Sequence, residues 1–150
     1  MKTKKVIEHI VIMVVIGITL MVTSFSCEKM DAFDTNLHIN DTLKIKIGTT
    51  VWDNQHTSGL SFDSVVAESR CPADVVCVWA GYAAGKFTFR DATNEYTFTL
   101  STINLNQPLL KRDTVVNGYK ITLINILPYP DTRIKINPHE RFALLRVTHE

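Results

Sequence analysis

"VVNGYKITL", residues 115–123, decides the fold class. Asn117-Gly118 divides two β-branched runs and suits a type I′ turn, in which both central residues take positive φ. That turn joins antiparallel strands. The second strand extends to Leu127 and stops at Pro128-Tyr129-Pro130, because proline gives no N–H to a ladder.

Working outward, the period stays at two. Leu43-Lys44-Ile45-Lys46-Ile47 alternates apolar and basic residues, which gives a strand one buried and one wet face. Lys86–Arg90 and Tyr96–Leu100 do the same around the polar turn Asp91–Asn94, so a second hairpin is expected. Arg141–Val147 is apolar on both faces and reads as an interior strand packed on each side. Past residue 26 the best helical candidate is a single turn at Ile103–Leu110, weakened by Pro108 and two asparagines. The expected class is therefore all-β: a single antiparallel β-sandwich or small barrel after an N-terminal signal peptide. Lys44 and Lys46 would discourage sheet-edge association if the first strand lies at an edge.

The N-terminus carries the address. Lys2, Lys4 and Lys5 precede an apolar run from Ile10 to Val22, and small residues lead into Cys27. This is the three-part build of a secretory signal peptide. The run is shorter than the roughly 18 apolar residues a membrane-spanning helix needs, and Glu8 and His9 block its extension. Thr23–Cys27 resembles a bacterial lipobox, in which the cysteine is acylated and becomes the mature N-terminus. Ser24 stands where leucine is usual, and an ordinary cleaved signal with an incidental cysteine is the alternative. The expected organisation is a lipoprotein signal peptide at 1–26, lipidated Cys27 and a tether at 27–37, and the β-domain at 38–150. The expected location is the bacterial cell envelope, on the periplasmic or surface face of the outer membrane.

Removing the signal's three lysines and one glutamate leaves 13 basic and 14 acidic side chains. That balance makes no case for nucleic acid as a partner. The chain has three cysteines. If Cys27 carries lipid, Cys71 and Cys77 remain as a pair, within Ser69–Gly81, "SRCPADVVCVWAG".

Three chemistries compete for that pair. Thiol oxidoreductases favour Cys-x-x-Cys at a helix start, whereas here the spacing is wider and the flanks are Pro72 and Val76. A zinc site needs further ligands, and His38, His56, His139 and His149 are scattered, so no metal or cofactor is expected. A disulfide staple needs only the compartment and geometry. Closing so short a loop stabilises by about 2 kcal/mol in the chain-entropy model. Cys77 is expected to lead into a strand, with Cys77 and Trp79 on one face, Val76 and Val78 on the other, and Trp79 covering the disulfide from the core side. Gly81 and Gly85 are expected to mark a bulge or a close backbone approach.

Glu68-Ser69-Arg70-Cys71-Pro72, followed by Cys77-Val78-Trp79-Ala80-Gly81, resembles a signature of uncharacterised small bacterial envelope proteins and lipoproteins. Gly118-Tyr119, Pro128-Tyr129-Pro130 and Phe142-Ala143-Leu144 agree with it, so the resemblance spans roughly Leu43 to Val147. It implies a β-rich exported domain and no particular activity.

The catalytic motifs looked for are missing: no Gly-x-Ser-x-Gly elbow, no phosphate-cradling loop and no zinc motif. Asp53, His56 and Ser58 are close in sequence, but a triad is defined by geometry, and Trp52–Gly59 reads as a polar loop between strands. The leading expectation is thus a non-catalytic, lipid-anchored binding or scaffold module whose partner is an envelope protein or small ligand. Its contact residues are expected on two loops: Arg70, Cys71, Pro72 and Asp74 with nearby Trp79, and Trp52, Asp53 and His56. Burial of Trp52 at a strand end is the competing reading. A second expectation is a protease-inhibitor-like wedge at 71–77, if Pro72–Val76 protrudes; Val75, Val76 and Val78 argue that it folds back. A third, a thiol redox or metal-binding protein, requires reduced cysteines.

Overall fold

The computed structural model describes residues 41–104 and 110–150. The expected signal peptide, Cys27 and the tether lie outside those residues, as does most of the Ile103–Leu110 turn. Eight strands follow in order: β1 (Thr42–Lys46), β2 (Thr50–Trp52), β3 (Gly59–Glu68), β4 (Ala83–Arg90), β5 (Glu95–Ser101), β6 (Asp113–Val116), β7 (Tyr119–Leu127) and β8 (Phe142–His149). They form two four-stranded antiparallel sheets, β1-β8-β7-β6 and β2-β3-β4-β5, so the fold is a β-sandwich rather than a closed barrel. Among the described residues the only helix is a 3₁₀ turn at Pro138–Glu140. No helix there is long and apolar enough to cross a membrane.

The hairpin that opened the reading is present as expected. Val116 pairs with Tyr119, and Asn117 and Gly118 have φ of 50° and 78°. Arg90 pairs with Glu95 around the second turn, where the Asp91 carboxylate accepts the N–H groups of Thr93 and Asn94. β1 lies at a sheet edge with Lys44 and Lys46 facing outward, the arrangement that resists strand addition.

Alternation places one residue in two in the core. Leu43 and Ile45 of β1, Phe87 and Phe89 of β4, and Ala143, Leu145 and Val147 of β8 are all buried. The Phe62 and Phe87 rings stack with centroids 5.1 Å apart. β8 departs from expectation: it is interior by hydrogen bonding, between β1 and β7, but only one face is packed. Its other face is half-covered, with the Lys44 ammonium 4.5 Å from the Phe142 ring centroid. A basic stem over an aromatic face lets that residue stay partly wet.

Two strands break phase. In β7 the inward residues run Ile121, Leu123 and then Ile126, and the register with β8 shifts between Leu123 and Asn125. A bulge adds one residue, so the next apolar side chain turns inward and its neighbour is re-aimed. β3 has two such shifts, at Phe62/Ser64 and Val65/Ala67.

Candidate functional site

The β3–β4 connection, residues 69–82, contains the cysteine pair and is built from its base upward. Arg70 is the first fixed point. Its side chain is 4% exposed, and its Nε and Nη2 donate to the two Glu68 carboxylate oxygens at 2.7 and 2.5 Å. Nη1 donates to Asn125 Oδ1 at 2.8 Å and to the Ile126 carbonyl at 2.7 Å, both presented by the β7 bulge. The guanidinium also stacks on Tyr129, 4.7 Å from the ring centroid. Arg141 Nη1 adds a further bond to Glu68 at 3.0 Å. Burial pushes the Glu68 carboxyl up, but the Arg70 fork and the Arg141 bond outweigh it and hold the group below its ordinary value.

Backbone bonds continue the clamp. Ser69 N–H donates to the Tyr82 carbonyl at 2.8 Å and Cys71 N–H to that of Ala80 at 2.9 Å. Gly81 has φ of 65°, and a Cβ there would lie 1.8 Å from the Ser69 carbonyl oxygen, so the two loop arms approach as only glycine allows. Gly85 also lies in a close approach, under the Phe62 ring. Ala73 N–H donates to the Pro130 carbonyl at 2.8 Å, and Asp74 accepts from both the N–H and the hydroxyl of Thr132. The Thr132 bonds hold the Asp74 carboxyl below its ordinary value, and the Arg133 fork lowers Asp131 to about 2.

Cys71 and Cys77 form a disulfide, with Cα atoms 5.8 Å apart. Oxidised sulfurs offer neither thiolate ligands nor an attacking thiol. Beyond the staple the expectation fails. Residues 71–82 contain no strand, and Cys77 leads into an open loop. Trp79 is 78% exposed and does not cover the disulfide, while Val76 and Val78 stand wholly in solvent. Among the described residues, no backbone–backbone hydrogen bond involves Val76, Cys77, Val78 or Trp79. The loop therefore divides in two: Pro72–Asp74 folds back onto residues 130–132, whereas Val76–Trp79 protrudes.

The other expected contact loop lies at the opposite end of the β3–β4 pair, since Gly59 faces Arg90 and Glu68 faces Ala83. It closes on itself. Asp53 accepts from Thr57 N–H and hydroxyl at 2.7 and 2.6 Å, which holds its carboxyl below the ordinary value. Trp52 is half-buried, its ring lying over Gly59, so it packs rather than projects. His56 is exposed with φ of 54°, 6.2 Å from Trp52 between ring centroids. Asp53, His56 and Trp52 are thus not brought near Arg70, Pro72, Asp74 or Trp79.

Arg70 itself needs correction as a contact residue. It is buried, and so acts on a partner only by holding the loop. Glu68, Asn125, Tyr129, Thr132 and Arg141 complete the base of the loop, and no motif in the sequence marks them. The sequence signal that could have found them is the charge pair Glu68–Arg70 together with Asn125, which interrupts the apolar run Leu123–Leu127. Compared with family models, with curated proteins and with solved structures, the chain matches none.

Proposed function

We propose that the protein is a lipid-anchored, non-catalytic binding module of the bacterial cell envelope, and that the protruding part of the stapled loop is its contact surface. One observation carries the choice of surface. Val76, Val78 and Trp79 are exposed at the tip of a loop whose base is held by a disulfide, a buried arginine and backbone bonds. Exposed apolar side chains raise the free energy of a free protein in water, and docking against a partner removes that cost. The Trp52–Gly59 loop has no comparable display. Envelope anchoring rests on the signal-like N-terminus and the lipobox-like Thr23–Cys27, and the Cys–Trp signature points to the same class of exported proteins.

The test is the intact mass and free-thiol count of protein extracted from membranes without reductant. A chain starting at lipid-modified Cys27, with no titratable thiol, supports the reading. An unmodified Cys27 in soluble protein, or two titratable thiols, overturns it.

Protrusion of Val76–Trp79 favours a second reading, a protease-inhibitor-like wedge, although Pro72–Asp74, the first part of the segment expected to protrude, folds back. An exposed segment next to a disulfide can lie along a protease cleft without being cut quickly. Elastase- and chymotrypsin-type serine proteases are the probes. Inhibition that is lost in a Val76→Asp variant supports the wedge, and rapid cleavage within residues 75–79 rules it out.

A further inference from the structure

We infer that the loop tip is an interfacial membrane contact, seating Val76, Val78 and Trp79 in the headgroup boundary of an anionic phospholipid bilayer. The inference rests on the binding-module reading above and names the partner of that contact surface.

The chemistry of the tip comes first. Residues 75–84 carry no charged side chain, and Val76, Val78 and Trp79 within them are exposed. Ile134 is exposed as well, two residues after the Thr132 that bonds to Asp74. Valine and isoleucine gain free energy on leaving water. Tryptophan has an apolar ring and a polar N–H, and is enriched where a membrane meets water.

The backbone selects the kind of surface. Among the described residues, Val76–Trp79 makes no backbone–backbone hydrogen bond, so no such bond ties the tip to one shape. A protein cleft demands a complementary, pre-organised shape, whereas a fluid lipid surface conforms to whatever enters it. The same backbone sets the depth. In hydrocarbon its N–H and C=O groups would find no partner, while the headgroup boundary still holds water. The tip therefore rests at the boundary and does not enter the hydrocarbon core.

Charge selects anionic lipid. Asp74 and Asp131 flank the base of the tip but are largely covered, 12% and 14% exposed, and bonded to Thr132 and Arg133. Arg133 is 73% exposed. Lys135 is exposed too, and among the described residues no carboxylate lies within ion-pair reach of it. These four charges balance in number, yet the side chains that reach solvent are the two cations. A layer of phosphate headgroups attracts such groups across a Debye length. Interfacial binding grows with buried apolar area and with basic groups beside it, and adjoining segments supply both here.

The experiment reconstitutes the full chain, disulfide intact, on vesicles of phosphatidylcholine and phosphatidylglycerol whose upper acyl chains carry bromine, a contact quencher of tryptophan. The chain has two tryptophans, so a Trp79→Phe variant isolates the emission of Trp52. The expected result is a loss of Trp79 emission of about twofold or more, with Trp52 unquenched. Val76→Asp with Val78→Asp should abolish the quenching at an unchanged melting temperature, since both side chains are wholly exposed. Arg133→Gln with Lys135→Gln, or vesicles of phosphatidylcholine alone, should reduce it. Unquenched Trp79 on vesicles that carry the chain overturns the inference, and is the outcome if a protein takes the tip instead. Quenching that survives the aspartates, or that is equal on neutral vesicles, overturns it as well. Flotation and the mass at Cys27 read the anchor separately. A chain unmodified at Cys27 that floats with Trp79 quenched keeps this inference and defeats the lipid anchoring; a lipid-modified chain with Trp79 unquenched does the reverse.

Discussion

Replacing Arg70 with methionine keeps an unbranched stem and deletes the guanidinium that joins three parts of the chain. Four hydrogen bonds go with it, to Glu68, Asn125 and Ile126, together with the stacking on Tyr129. Removing one member of a buried ion pair typically costs about 3–5 kcal/mol, because the other charge is left desolvated. Here Glu68 is 22% exposed and keeps Arg141 at 3.0 Å, so the residual charge is partly compensated. The expected loss is about 2–4 kcal/mol. For a domain of this size it lowers the melting temperature by roughly 10–20 °C. Urea denaturation should show a lower midpoint with an unchanged slope. Arg70→Lys should fall between the two, since one ammonium cannot reproduce the fork on Glu68 and also reach the β7 bulge. If Arg70→Met stays within about 0.5 kcal/mol of the parent, the range of an ordinary surface substitution, the clamp is not what holds the loop.

Three further outcomes can be checked in the same way. Gly81→Ala puts a Cβ against the Ser69 carbonyl at a positive φ and should cost at least about 2 kcal/mol, read by thermal unfolding. Cys71→Ser with Cys77→Ser opens the closed loop and should lower stability by about 2 kcal/mol in the chain-entropy model, with new proteolytic cleavage confined to residues 72–79. The Glu68 carboxyl titrates below its ordinary value of 4.5 in the fold, so its stabilisation is complete above that pH and drains away as pH falls through the lowered folded value. Stability measured from pH 6 to pH 3 should therefore fall more steeply in the parent than in Glu68→Gln.

Legibility followed the range of the physics. Alternation and turn chemistry are local, so both hairpins, the Pro128 stop and the all-β class can be read from neighbouring residues, whereas the sandwich rather than a barrel, and the edge position of β1, depend on long-range pairing. The staple was legible from spacing and count. The loop's conformation is not, because the alternation of residues 76–79 matches a strand that does not form there. What fixes the first half of that loop is tertiary: Ala73 bonds to Pro130 and Asp74 to Thr132, while Val76–Trp79 makes no backbone–backbone hydrogen bond among the described residues. The burial of Arg70 is hidden from the sequence for the same reason. A lone arginine in a polar stretch reads as exposed until a bulge in the opposite sheet is known to offer it Asn125 and the Ile126 carbonyl. Arg141–Val147 looked doubly buried because Phe142 and Leu144 are apolar, yet Lys44 of the neighbouring strand covers only part of that face.

The display of the tip can be measured directly by replacing Val76, Val78 and Trp79 together with serine in the full chain and determining its unfolding free energy. If these side chains are held out for a partner and contribute nothing to packing, the variant unfolds within about 1 kcal/mol of the parent, because each change is an exposed one. A loss of several kcal/mol would mean that the tip is buried in the native protein, and the contact surface proposed above would not exist.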